Sequence, residues 1–330
     1  MKISSFLLPA SIALLSSAQE IKPMRAQHTS EISRNETSTE TIAQAVLVKS
    51  TSTSTASSRP SQTFSSKPSK GNASKDPYTR CATHPDDDQR SILDAVSLNR
   101  TYTYKATRQV DVYIHIVTTE AKRNSYTQKM IEDQVSTLND AYSSIGFSFT
   151  LEGSDFTVQE DWAQASAGSD AETEMKQALH MGSYADLNLY FLSDLGDGLL
   201  GFCYFPTENP SPSMRVLDGC INLADSLPGG EAENYNLGLT AVHEVGHWFG
   251  LYHVFDGNKC TGNGDFVSDT PMQSEATFGC PTRQDSCPEQ EGQDAVHNYM
   301  DYSYDQCLTE FTSGQAQRAR ALFDEYRAGN

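Results

Sequence analysis

The stretch HEVGHWFGLYH, His243 to His253, carries three histidines, one glutamate and a glycine at fixed spacing. On a helix, residues four apart share a face, so His243 and His247 point together and can share one cation. Glu244 stands beside them, able to reach a water on that cation without being needed as a ligand. Gly250 accounts for the rest of the pattern. A helix running straight on would carry His253 far along its axis. A glycine can adopt the left-handed conformation that ends a helix and turns the chain, and His253 can then swing back as a third ligand. Three neutral imidazoles leave the fourth tetrahedral position of zinc for water, the ligand count of a catalytic site rather than a closed structural one. Zinc lowers the pKa of that water to roughly 7, and Glu244 can take its proton and pass it to a leaving amine. The other five histidines, His28, His84, His115, His180 and His297, read as solvated or structural residues.

Upstream of this stretch, strands and helices alternate. VDVYIHIVTT (Val110 to Thr119) is β-branched and alternating, a strand. Thr127 to Gly146 places Met130, Ile131, Val135, Leu138 and Tyr142 at helical spacing, with Gly146 as a stop. Phe147–Gly153 and Asp186–Ser193 read as strands and Ala171–Leu179 as a helix between them. Leu199–Pro206 and Arg215–Ala224 read as two more strands joined by a Pro-rich turn, before a helix from about 234 to 249. The alternation predicts a mixed α/β sheet. Residues 254–312 are rich in Gly, Asp and Pro and hold four of the seven cysteines, so cross-links rather than a sheet should hold them; a last helix spans about 313–328.

The N-terminus, MKISSFLLPASIALLSSAQE, has one lysine, an apolar run from Phe6 to Leu15 and small residues at Ser16, Ser17 and Ala18, the layout of a secretory signal peptide covering residues 1–18. That run is too short to span a bilayer comfortably, and no later segment is long enough. The expected location is extracellular. Residues 19–100 read as a Ser/Thr-rich pro-segment, with a plain spacer as the alternative, largely disordered because its polar stretches cannot bury enough surface to offset their ordering entropy. Order signals begin near residue 108. Sequons at Asn35, Asn72 and Asn99 suit export and glycosylation. The chain of 330 residues carries a net charge of −19, which argues against phosphate backbones and anionic membranes as partners. In an oxidising compartment the seven cysteines default to disulfides, with one left over.

HEVGHWFGLYH has the extended H-E-x-x-H-x-x-G-x-x-H pattern and so resembles the metzincin metalloproteases. HNYMDYSYDQC (His297 to Cys307) is similar to their second signature, a methionine in a tight turn below the metal. Together with GDFVSDTP (Gly264 to Pro271) and the stretch Asn298 to Arg318, these blocks resemble the pappalysin family, in particular its secreted fungal extracellular metalloproteases, over about residues 80–330. The resemblance implies His243, His247 and His253 as ligands of one zinc ion, Glu244 as general base and Met300 as the Met-turn residue. It implies Tyr302 as an oxyanion stabiliser, with a buried structural tyrosine as the alternative.

The implied fold is a metzincin catalytic domain over 101–330. Its upper subdomain, about 101–253, holds a five-stranded mixed twisted sheet with an antiparallel edge strand near 201–205, and an irregular disulfide-linked lower subdomain occupies about 254–330. An extended substrate can add to such an edge as another strand. The family pattern suggests the bridges Cys260–Cys287 and Cys280–Cys307. Cys203 and Cys220, on adjacent strands, can pair as well, while other pairings stay open. That leaves Cys81, in YTRCATHP, whose Arg-Cys pairing resembles the cysteine switch of matrix metalloproteases and pappalysin relatives: a thiolate on the open zinc position would hold the enzyme latent. A disulfide or an unpaired thiol are the alternatives there. Release then requires cleavage between Cys81 and about Val110, where Arg90, Arg100 and Arg108 are candidate sites. Asp265 and Asp269 read first as acidic residues capping turns, and the resemblance implies calcium there as the alternative. The expected function is a secreted zinc endopeptidase, taken as monomeric, acting on protein or peptide substrates in broad extracellular degradation. A zinc hydrolase of other substrates and an inactive zinc-binding adhesion module are the alternatives.

Overall fold

The computed structural model describes residues 63–64, 76–97 and 106–329. The signal segment, the three sequons, Arg100 and most of the Ser/Thr-rich tract lie outside the described residues. In chain order the elements are β1 Thr63–Phe64, β2 Thr83–His84, α1 Asp87–Ser97, β3 Arg108–Thr118, α2 Gln128–Tyr142, β4 Phe147–Val158, α3 Asp170–Leu179, β5 Leu187–Leu192, β6 Gly201–Cys203, α4 Pro212–Leu217, β7 Cys220–Leu223, α5 Leu239–Trp248 and α6 Ser313–Tyr326.

β1 and β2 pair antiparallel, and the other five strands form one sheet in the order β4-β3-β5-β7-β6. β3, β4, β5 and β7 run parallel, and β6 alone runs antiparallel, at the edge beside β7. β5 is buried at every residue, as expected of a strand with parallel neighbours on both sides and both faces covered. Cys203 and Cys220 are directly paired in the β6–β7 register and joined by a disulfide, which ties the edge strand to the sheet. Three of the helices, α2, α3 and α6, start where side chains satisfy their first amides. Thr127 accepts from Met130 N, Ser169 from Glu172 N, and Thr312 and Gln315 form a reciprocal capping box.

α5 is buried on all sides, so it is a core helix rather than an amphipathic one. Tyr142 of α2 donates to the Val242 carbonyl at 2.8 Å. At its other end the Arg327 guanidinium lies 3.9 Å over the Trp248 ring and pairs with Asp218, which also accepts from Trp248 Nε1.

Two readings are corrected. Arg215–Leu217 belongs to α4 rather than to a strand: Ser211 caps its first turn and Pro212 opens it, so the Pro-rich turn is itself helical. α5 starts at Leu239 rather than near 234, because Asn234 and Gly238 both take positive φ (71° and 83°) in the turn before it. Residues 76–97, inside the segment read as largely disordered, form β2 and α1. Three of their apolar side chains, Cys81, Ala82 and Leu93, are buried in the body of the protein, which an average composition over 19–100 does not register.

From 254 to 312 there is no strand or α-helix. Disulfides Cys260–Cys287 and Cys280–Cys307 hold this part, with buried carboxylates in place of a ladder. Asp301 accepts from Thr277 N, Gln273 Nε2 and Tyr302 N, and Asp294 from Ser286 N and Gln284 Nε2. Among the described residues no helix is long and apolar enough to cross a membrane.

Candidate metal centre

The geometry at the metal centre begins with how α5 ends. Leu251 N donates to Gly246 O at 2.9 Å and Gly250 N to His247 O at 2.8 Å, the two bonds of a Schellman turn, with Gly250 at φ +89°. Arg318 Nε of α6 fixes the turn by donating to Gly250 O at 2.9 Å. The chain then reverses, and His253 Nε2 comes to 3.1 Å from His247 Nε2 and 3.2 Å from His243 Nε2.

The Nε2 atoms of His243 and His247 have no proton to offer one another. His243 Nδ1 donates to Tyr299 O at 2.7 Å and His247 Nδ1 to Leu251 O at 2.8 Å, which leaves both Nε2 atoms as lone pairs. Burial pushes all three imidazoles down, His247 to about 3, so they are neutral. Converging lone pairs repel unless a cation lies between them. Tetrahedral zinc with bonds of about 2.0–2.1 Å sets its ligand nitrogens about 3.3 Å apart, close to what is found. Cys81 Sγ lies 3.4 Å from His247 Nε2, and the four donor atoms fall within 4.8 Å of one another. Two or more imidazoles with a thiol are a zinc-type donor set, and the residues fit that ion.

Glu244 is fully buried next to this set. Its Oε2 accepts from the Cys81 thiol and the Thr83 hydroxyl, each at 3.4 Å, and its Oε1 has no protein partner. Burial lifts its carboxyl to about 8. Gly201 of β6 makes room for it, since a Cβ there would stand 2.9 Å from Glu244 Cγ. Burial, with Glu244 next to it, also pushes the Cys81 thiol well up, an order that a cation in the donor set would reverse.

Met300 lies under α5, where a side chain on Gly246 would overlap its sulfur. Tyr302 OH donates to the Cys81 carbonyl at 3.0 Å and stands 3.3 Å from His253 Nε2. His297 donates from Nδ1 to Cys307 O at 2.7 Å. Asp269 accepts from Thr312 Oγ1 and Gly314 N at the start of α6, whereas Asp265 is buried, with Oδ1 bonded to Val267 N and Thr270 Oγ1 and Oδ2 without a protein partner. Neither belongs to a cluster of three or more His, Cys, Asp or Glu donors among the described residues.

The segment around Cys81 lies along the edge strand. Thr79 N donates to Gly198 O and Leu200 N to Thr79 O, both at 2.9 Å, and Ala82 N to Gly201 O at 3.1 Å. The Thr79–Leu199 bridge is parallel. Two partners of this segment carry no local sequence signal. Thr83 Oγ1 accepts from Cys203 N at 2.8 Å while reaching Glu244, and Arg80 forms a buried pair with Asp305 at 2.6 Å. Only contacts between residues more than a hundred positions apart reveal them.

The model of peptidase family M43, described as pregnancy-associated plasma protein-A, matches residues 172–324. An extracellular metalloprotease of Sordaria macrospora is 54% identical over 227 residues, 68% of this chain and 78% of that protein. One of Arthroderma benhamiae is 47% identical over 223 residues, 67% of this chain and 74% of that protein. Among solved structures, mature mirolysin of Tannerella forsythia in complex with a cleaved peptide is 26% identical with TM-score 0.56, covering 68% of this chain and 97% of that one. A promirolysin mutant from the same organism is 26% identical with TM-score 0.60, covering 72% and 87%.

Proposed function

The chain belongs to the pappalysin family of metalloendopeptidases, and from that premise we propose that it is a secreted zinc endopeptidase that uses Glu244 as general base and is held latent by Cys81. The observation that carries this reading is the convergence of three neutral imidazole Nε2 atoms on α5 and the turn after it, with Glu244 beside them and an antiparallel edge strand alongside.

Zinc held by His243, His247 and His253 supplies Lewis acidity toward a carbonyl oxygen and makes water more acidic. The protein's own groups do the rest. Once the segment Thr79–Thr83 leaves, β6 offers unpaired backbone groups, and an extended polypeptide adds to it as a further strand. Glu244 takes a proton from the attacking water at a carboxylate oxygen and delivers it to the leaving amine. The Tyr302 hydroxyl, which here donates to the Cys81 carbonyl, is placed to donate to the oxygen of a scissile amide as charge develops on it. Met300 forms an apolar floor under α5. In the Tannerella structure the bound molecule is a cleaved peptide, which supports polypeptide as the substrate class here. The extracellular names of the relatives and the apolar run at Phe6–Leu15 support secretion, and broad extracellular protein breakdown is the role proposed.

Latency draws support from one segment engaging every proposed catalytic group. Cys81 Sγ completes the donor set, Thr83 and the Cys81 thiol meet Glu244, and the Cys81 carbonyl meets Tyr302. With the segment Thr79–Thr83 bonded along residues 198–203, no substrate can pair there. A calcium ion beside Asp265 is a further proposal, supported by its buried Oδ2.

Casein hydrolysis by processed protein, with and without a zinc chelator, tests the activity. Chelator-sensitive cleavage that Glu244→Ala abolishes is expected; insensitivity to chelator, or full activity in Glu244→Ala, refutes it. Cys81→Ser should make the unprocessed precursor more active than the parent, and an equally latent precursor would count against the switch.

A further inference from the structure

Beyond the contacts around Cys81, at the donor set, along the edge strand and through Arg80, the described part of the pro-segment is held at a separate place. Two residues beyond β2, Asp86 and Gln89 bond reciprocally, Gln89 N to Asp86 Oδ1 at 2.7 Å and Asp86 N to Gln89 Oε1 at 3.2 Å, and start α1. Positions 90, 93 and 94 share one helical face, and that face is fully engaged. Leu93 is completely buried in a cluster with Phe205, Tyr252, Leu322 and Tyr326. Arg90 forms a two-pronged ion pair with Asp256, with Nη2 to Oδ1 at 2.9 Å, and lies 5.3 Å over the Tyr252 ring. Asp94 accepts from Arg318 Nη2 at 3.0 Å.

The groove that receives this face is therefore complementary in shape and charge: an apolar floor between an acidic group at one end and a basic group at the other. It is built by the turn after α5, by α6 and by the chain after β6, and it contains no member of the metal donor set. Its floor nevertheless touches the centre, since Phe205 packs edge-on against His247 with ring centroids 5.3 Å apart.

We propose that this groove is a docking site for α1 in its own right, a clamp that holds the pro-segment on the catalytic part whether or not Cys81 is engaged. The proposal rests on the latency reading above and adds to it the part that does the holding. Only Pro85 and Asp86 separate β2 from α1, so a docked α1 keeps the Cys81 strand at an effective concentration on the order of millimolar beside β6. A thiol that dissociates is recaptured before substrate can enter. Opening of the cleft then depends on α1 letting go, and Cys81→Ser yields only partial release, short of the activity of processed enzyme.

Hydrogen–deuterium exchange on the full-length chain carrying Glu244→Ala, which cannot process itself, tests the clamp without any catalysis. Adding Cys81→Ser should leave exchange of the α1 amides within about threefold of the parent. Adding Arg90→Asp, or separately Leu93→Asp, should speed it at least tenfold and make Cys81 reactive toward a maleimide. Combining Arg90→Asp with Asp256→Arg should restore both protection and thiol shielding, which separates loss of the clamp from general misfolding. Loss of α1 protection on Cys81→Ser alone overturns the proposal, because α1 would then be held only through the metal centre. So does unchanged exchange in both Arg90→Asp and Leu93→Asp. Neither outcome bears on peptidase activity, which the casein assay decides by itself.

Discussion

Replacing Gly250 by alanine tests the geometry that turns a helix and a loop into one centre. Gly250 sits at φ +89°, where an L-residue with a Cβ is strained by about 1–2 kcal/mol. The added Cβ would also overlap Leu322 Cδ1 and stand 3.4 Å from Leu322 Cβ and Cγ, in a fully buried part of α6. Overpacking of that kind costs about 1–3 kcal/mol. The total of about 2–5 kcal/mol corresponds to a fall in melting temperature of about 4–20 °C for a domain of this size. Leu322→Ala separates the two costs. It destabilises by itself by about 2–5 kcal/mol, but on that background Gly250→Ala should cost only its backbone share, a coupling of about 1–3 kcal/mol. Denaturant unfolding of the four proteins gives the cycle, and competition with a chromogenic chelator gives zinc affinity, which should fall because His253 follows the turn. Equal costs of Gly250→Ala in both backgrounds would refute the packing argument. Unchanged stability together with unchanged zinc affinity would refute the role of the turn altogether.

Other expectations are simpler to read. Tyr302→Phe in processed enzyme should lower kcat by about 10²–10³ with KM little changed, as for loss of one oxyanion donor, whereas a merely structural tyrosine would change melting temperature and leave kcat intact. Arg80→Ala strands the Asp305 carboxylate with only the Leu237 amide at 3.0 Å, so the precursor should lose about 3–5 kcal/mol of stability and leak peptidase activity before processing. Asp265 is lifted by burial to about 7 from an ordinary 3.8. Between those values the folded state binds the extra proton, so stability in EGTA should fall as pH rises from about 4 to 7. Asp265→Asn should flatten that slope, and calcium should also flatten it if it binds the ionised carboxylate; a slope unaltered in Asp265→Asn assigns it to other groups.

Much of the sheet could be read in advance because its signals are local. β3 shows β-branched alternation, α2 shows helical periodicity ended by Gly146 at φ +81°, and Cys203 and Cys220 fall on strands that prove to be adjacent. The misreadings also have local causes. Pro212 opens α4 as readily as it would make a turn, and the Asn and Gly conformations that delay α5 depend on what the loop packs against.

The sequence by itself determined the donor types and their order: His243 and His247 one helical turn apart, Glu244 between them, and a glycine where the chain must turn. Those follow from the pitch of a helix and the freedom of a residue without a Cβ. Tertiary structure alone decided what surrounds them. Thr83 on Glu244, Arg80 on Asp305, Arg318 on the Gly250 carbonyl and α1 in its groove join residues 68 or more positions apart. No periodicity relates such partners, because each contact exists only when folding has brought two distant surfaces together and removed water from between them.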